Sequence, residues 1–440
     1  MTARLILLAL DGADSDLIDR WSLDGTLPNI GRLRARGSAH HMEAPHGVTD
    51  DALWADFQYA SGMGAHGRFH YTKRLKSTGR YGMSFLEEGE LEAFWRGISD
   101  AGRRVAVIDV PKTQAPRPIN GIHLADWLVH GRYFREPRSY PEGVAAEVVA
   151  KFGALPPSRC GYLATVDEGE RRDALANLFL SIEQKERAGL HFLASEPWDL
   201  FILAFRESHC VDHHFWDVVD ETHPHYDPAL RERLGDPVRS IYVRLDAALG
   251  RLIEAAGPEA KVVLFSSTKM EPNASLAHLD AKLGERLNWR FSPTLAIPFA
   301  RRSRRVRLPI EILPYGENGT AVRVNGSARK RERLLRVLEA EFAGLTNAET
   351  GEKLMDRMYR PSVEYPGARA AELPDLLVRY RAGQIPSAIR GPRIGRLEAP
   401  APNYRPGNHA CGPFIVAAGA NVTDVRRLDQ FGGLAERLLA

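Results

Sequence analysis

Two histidines spaced four residues apart carry the clearest chemical signal in this sequence. His209 and His213 lie in a segment whose residues 207–216 read ESHCVDHHFW. If the segment is helical, positions i and i+4 share one face about one turn apart, so both imidazoles can bind one metal ion. An isolated pair of this kind also fits ordinary surface or core histidines, so it needs support from the rest of the chain.

Five short apolar runs predict the strands that would position these residues. They are residues 5–10, 104–110, 200–205, 261–266 and 414–418, and each is long enough for a buried central strand. Amphipathic stretches between them, such as residues 241–256, predict crossover helices. The alternation predicts an α/β fold with a mostly parallel central sheet sandwiched by helices. Ligands bind at the carboxyl ends of strands in such sheets, which makes Asp11, directly after the first run, a candidate site residue.

Three stretches interrupt the alternation within a single predicted domain, residues 1–440. Residues 69–98 are polar and basic, and residues 111–190 are rich in prolines and single aromatic side chains. Both are candidate lid insertions, with peripheral decoration as the alternative. Residues 280–360 combine short apolar runs, an Asn325-Gly326 turn and a basic amphipathic stretch, which predicts a small α+β excursion.

The overall composition excludes several classes of protein. The chain has 440 residues and a formal net charge of +3, so nothing in its charge calls for nucleic acid or an anionic membrane as a partner. Three cysteines are too few for a disulfide framework and fit a reducing compartment. The apolar run 5–10 is too short for a signal peptide, and no run is long enough to span a bilayer. We therefore expect a cytoplasmic protein.

Several motifs, taken in order, resemble the type I phosphodiesterase/nucleotide pyrophosphatase family of the alkaline phosphatase superfamily. In the first part of the chain they are Asp11-Gly12, Gly25-Thr26-Leu27-Pro28-Asn29, the Thr49 loop ahead of Trp54, and His66-Gly67. Later they are residues 207–216, Leu373-Pro374-Asp375-Leu376-Leu377, and His409 ahead of Gly412-Pro413-Phe414-Ile415. The resemblance implies an alkaline phosphatase-like fold and a metal-dependent hydrolase of phosphate esters or diesters.

The resemblance also implies a ligand set, from which this sequence departs. Members of the family usually hold two metal ions. The first would be bound here by His209, His213 and His409, with histidine where the family has aspartate, and such a site leaves a coordination position open. The second set would be Asp11, the nucleophile and an Asp-His pair. Where the family has Ser-Asp-His-Gly-Met, this chain has Ser-Ser-Thr-Lys-Met at residues 266–270.

This departure leads to the hypothesis of one metal ion rather than two. Ser267 and Thr268 are poor replacements for a carboxylate and an imidazole. The ammonium of Lys269 could supply part of the missing positive charge, unless it is simply an exposed loop lysine. Asp11 is then either a fourth metal ligand or a partner of Lys269. Zinc is the preferred ion for three histidines, with iron and manganese as alternatives.

The position of the nucleophile is ambiguous in the sequence. The family places threonine four residues before the aromatic position, and four residues before Trp54 is Asp50, not Thr49. If Thr49 is the nucleophile, the resemblance implies a phospho-threonine intermediate. If Asp50 occupies the position, its carboxylate could ligate the metal or act as base for a bound water. A structural alternative is that the acids at residues 50 and 51 cap the following helix.

Three functions fit these observations. The leading one is a metal-dependent hydrolase acting on a small anionic, phosphorylated substrate. The second keeps the fold but uses a mononuclear three-histidine metal for other chemistry, since fold does not determine reaction. The third is a non-catalytic protein that binds an anionic ligand. The sequence defines neither the substrate nor the oligomeric state.

Overall fold

The computed structural model describes most of the chain. The described residues are 3–44, 49–87, 91–129, 134, 136–156, 167–291, 308–400 and 405–440. Parts of the two predicted lid segments and of the predicted α+β excursion lie outside these ranges, as do residues 45–48, which precede Thr49.

A central sheet of eight strands dominates the described part of the chain. In spatial order the strands are β2 (Gly37–His41), β19 (Phe414–Ala418), β9 (Lys261–Ser266), β1 (Ala3–Leu10), β8 (Trp198–Phe205), β5 (Val105–Ile108), β6 (Gly121–Ala125) and β7 (Arg138–Tyr140). The strands from β9 to β6 run parallel, whereas β19 and β7 run antiparallel to their inner neighbours. All five apolar runs form strands of this sheet, which confirms the predicted fold class.

Helices cover both faces of the sheet because successive side chains of a strand point to opposite sides. Ile6 and Leu8 of β1 pack into one buried cluster, and Leu5 and Leu7 pack into another. The first face is covered by α1 (Ser15–Leu23), α2 (Pro28–Ala35), α6 (Val144–Phe152), α7 (Glu168–Ser195), α8 (Glu207–Val219) and α10 (Pro237–Ala256). The second face is covered by α3 (Asp50–Tyr59), α5 (Phe94–Asp100) and α14 (Phe431–Leu439).

An antiparallel α+β unit lies between β9 and β19 in the chain. Its sheets are β11 (Ile310–Leu313), β12 (Gly319–Val324), β15 (Leu376–Tyr380) and β14 (Met355–Tyr359), and β13 (Thr346–Asn347), β16 (Ala388–Gly391) and β17 (Gly395–Glu398). Two helices, α11 (Asp280–Phe291) and α12 (Ala328–Ala343), share a buried cluster with these strands. The described elements of this unit lie between Asp280 and Glu398 and thus extend beyond the predicted excursion, residues 280–360.

Short elements connect these parts. They are β3 (Thr72–Arg74), β4 (Tyr81–Met83), β10 (Lys269–Pro272), β18 (Gly407–Ala410), α4 (Met63–His66), α9 (Pro228–Leu234), α13 (Pro361–Glu364) and 3₁₀ turns at Ser84–Glu87, Ala370–Glu372 and Leu428–Gln430. Strands β10 and β18 pair antiparallel, with Met270 opposite His409. Among the described residues, no helix combines the length and the apolarity that crossing a bilayer requires.

Parts of the predicted lid segments belong to the scaffold instead. Helix α5 packs into the second core cluster, β6 and β7 form an edge of the central sheet, and α7 packs against α10. The apolar pattern did not indicate β6 and β7 because edge strands of five and three residues give no long buried run. The β3–β4 hairpin, from the first segment, is outside the central sheet.

Candidate metal centre

The centre is built at the carboxyl ends of three neighbouring parallel strands. Leu10 of β1 is in register with Phe205 of β8 and with Ser266 of β9, so the residues that follow these strands meet at one edge. Asp11 follows β1, and Ser267 follows β9. Helix α8 begins directly after β8 and carries His209 in its first turn.

A glycine allows the β1 end to approach α8 closely. Gly12 has a φ of +60°, and a Cβ atom there would lie 3.0 Å from Cδ2 of His209. Any larger side chain would face both backbone strain and a collision with the imidazole. The Ser208 hydroxyl donates to the carbonyl of Asp11 at 2.8 Å, which adds a second tie between the strand end and the helix.

The three predicted metal histidines converge, although one is almost two hundred residues away from the other two. Nε2 of His213 lies 3.1 Å from Nε2 of His209 and 3.1 Å from Nε2 of His409. All three residues are buried. Their nitrogens are close enough together to be ligands of one metal ion. Helix α8 supplies the first two, and β18, held in place by β10, supplies the third.

The other ring nitrogens show which way the lone pairs point. Nδ1 of His213 lies 2.7 Å from the carbonyl oxygen of Gly407, which can only accept, so this nitrogen carries the proton. Nδ1 of His409 lies 3.0 Å from the Glu317 carboxylate. Both rings are thereby oriented with Nε2 toward the centre, as in carboxylate–histidine–metal arrangements. When both rings are neutral, their Nε2 lone pairs point to the same position, where they could bind one shared cation.

The distances and the donor types fit a single metal ion. Two nitrogens each ~2.0–2.1 Å from a tetrahedral zinc lie ~3.3–3.4 Å from each other, close to the separations seen here. Burial, aided by the charges of Arg405 and His409, lowers the pKa of His213 well below its usual value, so this ligand is neutral. Burial opposes protonation of His409, but Glu317 raises its pKa and so makes Nε2 more basic toward a cation.

Two carboxylates lie beside the histidines. Ligand atoms of Asp11, Asp50 and His209 all lie within 4.8 Å of one another. The Ser267 hydroxyl is 3.1 Å from Oδ1 of Asp50 and 3.4 Å from Oδ1 of Asp11, and Trp54 Nε1 donates to the same Asp11 oxygen at 2.8 Å. Both acids are buried. His209 is therefore common to an imidazole group and a carboxylate group.

A lysine that the sequence analysis did not single out completes the carboxylate group. Nζ of Lys112 lies 2.6 Å from Oδ2 of Asp50 and 2.7 Å from Oδ1 of Asp51. Burial and the charge of Asp50 raise the pKa of Asp11 well above its usual value. Burial also acts to raise the pKa of Asp50, but the charges of Lys112 and His409 hold it below its ordinary value. At neutral pH Asp50 is an ionised carboxylate.

The Thr49 hydroxyl is hydrogen-bonded to groups outside this cluster. Thr49 is the N-cap of α3, and its Oγ1 accepts from the backbone N–H of Ala52 at 3.2 Å. The same hydroxyl donates to the carbonyl oxygen of Phe69. Asp50, the first residue of α3, contacts Ser267 and Lys112 instead. Asp50 thus lies beside His209, whereas the Thr49 hydroxyl is hydrogen-bonded to Phe69 and Ala52.

Lys269 does not join the cluster. It lies on β10, and its Nζ pairs with Asp16 of α1 at 2.6 Å. The expectation that this lysine partners Asp11 is wrong in the structure, because strand β10 presents its ammonium to α1. The cation next to the carboxylates is Lys112, which follows β5 at the same edge of the sheet.

Two residues that contact the candidate centre were missed in the sequence analysis, for different reasons. Lys112 lies four residues beyond β5, a predicted strand, so the rule that sites form at strand ends could have identified it. Glu317 lies in the loop between β11 and β12 of the α+β unit, 92 positions from its partner His409 in the chain. No local pattern marks such a distant pair.

Comparisons with known proteins bear on the family and the fold. A sequence model of the type I phosphodiesterase / nucleotide pyrophosphatase family matches residues 5–388. A structure of phosphonoacetate hydrolase from Sinorhizobium meliloti 1021 with phosphonoformate is similar over 99% of this chain and 96% of that one, with a TM-score of 0.61 and 15% identity. Its complex with phosphonoacetate has the same coverage, a TM-score of 0.62 and 14% identity.

A third solved structure is more distant. Human ectonucleotide pyrophosphatase / phosphodiesterase 5 has a TM-score of 0.47 and 13% identity, over 94% of this chain and 87% of that one. A search of curated proteins finds no match. The family match and the phosphonoacetate hydrolase structures confirm the predicted resemblance and the alkaline phosphatase-like fold.

Proposed function

The chain belongs to the type I phosphodiesterase / nucleotide pyrophosphatase family, and we propose that it is a metal-dependent hydrolase of a small phosphate ester or diester. The observation that carries this proposal is the convergence of three buried imidazoles, with Nε2 separations of 3.1 Å, beside Asp11 and Asp50. The chain's own residues support this chemistry.

His209, His213 and His409 would hold one metal ion, for which zinc is the preferred identity and iron or manganese the alternatives. A bound divalent cation stabilises negative charge on phosphoryl oxygens as a Lewis acid. Glu317 orients His409, and the carbonyl of Gly407 orients His213. These contacts hold the imidazoles in position before substrate arrives, which avoids a reorganisation cost during the reaction.

Asp50 is the residue that we assign as the base. It is ionised, buried and beside His209, and Lys112 and Ser267 fix both of its oxygens in place. A water molecule positioned by Asp50 would attack phosphorus while its proton passes to the carboxylate and the bond to the leaving alcohol breaks. The bonding of the Thr49 hydroxyl to Phe69 and Ala52 disfavours a threonine nucleophile.

The substrate class follows from the chemistry of the centre and from the relatives. A cation, the Lys112 ammonium and the α3 N-terminus together favour a compact anionic group. The structurally similar enzyme is named a phosphonoacetate hydrolase, so a small phosphonate is the second candidate substrate. The family name favours phosphodiesters, which are the first choice.

The experiment compares an aryl phosphate diester, an aryl phosphate monoester and phosphonoacetate as substrates for metal-free protein and for protein reloaded with zinc, manganese or iron. We expect turnover only after reloading. Asp50→Asn should lower kcat by ~10²–10⁴-fold, the usual size of general-base catalysis, with the metal content unchanged. Lys269→Met, outside the cluster, is the matched control and should retain full turnover.

Each other result has a definite meaning. Equal turnover by metal-free and reloaded protein would refute the metal-dependent mechanism. Full activity of Asp50→Asn would remove Asp50 as the base. Tight metal binding without turnover of any of the three substrates would overturn hydrolysis and favour an anion-binding protein or other chemistry at the same ion.

A further inference from the structure

Lys112 is held beside the histidine centre by several independent contacts. Its Nζ lies between Asp50 and Asp51, at 2.6 Å and 2.7 Å. Its carbonyl oxygen accepts from the buried guanidinium of Arg68 at 2.7 Å. Its φ of +57° is in the left-handed region, which side-chain-bearing residues rarely adopt. Such a conformation persists where surrounding interactions maintain it, and often at functional sites.

The ammonium is next to carboxylates that could otherwise bind a second cation. Asp11, Asp50 and His209 have ligand atoms within 4.8 Å of one another, and carboxylate oxygens are the preferred ligands of manganese and magnesium. Oδ2 of Asp50 already pairs with the Lys112 ammonium, Oδ1 of Asp50 accepts from the Ser267 hydroxyl, and Oδ1 of Asp11 accepts from Trp54.

The residues after β9 do not supply further ligands. Ser267 and Thr268 are buried there, and a neutral hydroxyl binds a divalent cation far more weakly than a carboxylate or an imidazole. The Ser267 hydroxyl also lies within 3.4 Å of both acids. A second ion would depend mainly on Asp11 and Asp50 and would have to displace the Lys112 ammonium from Asp50, so the residues present do not fit one while Lys112 is in place.

We propose that the Lys112 ammonium takes the place of a second divalent cation, so that the centre binds one metal ion, at the three histidines. This proposal relies on the proposed function for the three-histidine metal site, but it does not depend on which reaction the protein catalyses. One ion and one fixed lysine would together present positive charge on two sides of a bound anionic group. Burial disfavours the charged form of Lys112, but Asp50, Asp51 and Asp11 raise its pKa well above the ordinary value, which favours the ammonium form.

Metal counting on purified chains tests the proposal without any assay of turnover. Wild-type protein equilibrated with excess manganese or zinc, then freed of unbound metal, should retain about one ion per chain by elemental analysis. Lys112→Met keeps the side-chain length but leaves Asp50 and Asp51 without their cation, so this variant should retain about two metal ions per chain. Lys112→Met with Asp50→Asn should return to about one, and Lys269→Met should remain at about one.

Two of the outcomes would overturn the proposal. They are a wild-type content near two, and a Lys112→Met content that stays near one in protein whose circular dichroism matches the wild type. His213→Ala reports separately on the histidine site, because its metal content should fall to near zero whatever Lys112 does.

A second measurement does not depend on any variant folding. Crystals of wild-type protein soaked in manganese should show one strong anomalous peak, located among the three Nε2 atoms. The Lys112 ammonium should remain in contact with the Asp50 carboxylate. A second strong peak bonded to Asp11 and Asp50 would overturn the proposal. Absence of turnover on every substrate would refute hydrolysis but would leave the metal count as it is, so the two failures are distinguishable.

Discussion

The centre has a histidine half, formed by His209, His213 and His409, and a carboxylate half, formed by Asp11, Asp50, Lys112 and Ser267. The two halves are adjacent but differ in the source of their positive charge. The histidine half brings the Nε2 atoms of three imidazoles together, a donor set that could hold a cation from outside the chain. The carboxylate half contains its own cation, because Lys112 pairs with Asp50 and Asp51. A buried group of potential ligands can thus favour or disfavour a metal ion, depending on whether a side-chain cation such as the Lys112 ammonium already neutralises it.

The halves also differ in how they are assembled. The histidine half takes two of its three ligands from one helix, α8, and only His409 comes from elsewhere. The carboxylate half draws on four places: the end of β1, the start of α3, the loop after β5 and the loop after β9. Helix geometry fixes the relation of His209 and His213 locally, whereas the second half depends on the register of the whole sheet.

The largest expected effect comes from breaking the histidine half. His213→Ala removes the ligand whose Nε2 lies within 3.1 Å of both other imidazoles. We expect the loss of the bound metal, and a loss of phosphodiester turnover of at least ~10³-fold, since a catalytic metal contributes several kcal/mol to transition-state stabilisation. Elemental analysis and a steady-state assay with zinc added would measure both effects.

His214→Ala is the matched control, because this neighbouring residue on α8 is outside the group of potential metal ligands. It should keep both metal and turnover. If His213→Ala retained a full complement of metal, the histidine half would not be the metal site and the contrast between the two halves would disappear.

The difference between local and long-range assembly also explains which parts of the molecule can be predicted from the sequence. Apolar runs such as residues 5–10 and 200–205 predict the central strands because burial on both faces leaves no polar positions in them. The pair His209 and His213 is predictable because four residues make one helical turn. The fold and the histidine half are therefore readable from local patterns combined with the family motifs.

The carboxylate half was less predictable because its contacts are set by tertiary structure. Thr49 and Asp50 are adjacent in the chain, and only the N-cap geometry of α3 separates the hydroxyl from the carboxylate. Lys112 and Lys269 each follow a strand, but the pairing of β10 with β18 carries Lys269 toward Asp16. Glu317 is contributed by a unit that the sequence suggested was an excursion.

A smaller loss of metal affinity is expected when a histidine ligand is kept but its orienting partner is changed. Glu317→Gln keeps the size of the side chain but takes away the negative charge that orients His409 and raises its basicity. Metal affinity should fall by ~10–100-fold, as for other partners of metal-bound histidines. Competition with a fluorescent chelator would measure this change. Glu311→Gln, a change at a carboxylate paired instead with Arg74, should leave the affinity unaltered.

The smallest effect tests which residue of the carboxylate half does chemistry. Thr49→Ala removes the N-cap of α3 and a donor to the Phe69 carbonyl, so the free energy of unfolding should drop by ~1 kcal/mol, or somewhat more because both partners are buried. Turnover at a temperature well below the unfolding transition should remain within a few-fold of wild type, since Asp50 stays in place. Urea unfolding and initial rates give the two quantities, and Thr49→Ser, which keeps the hydroxyl, should restore most of the stability. A collapse of Thr49→Ala turnover to the level of Asp50→Asn, with metal still bound, would instead make the threonine the nucleophile and reduce Asp50 to a ligand or a helix-capping acid.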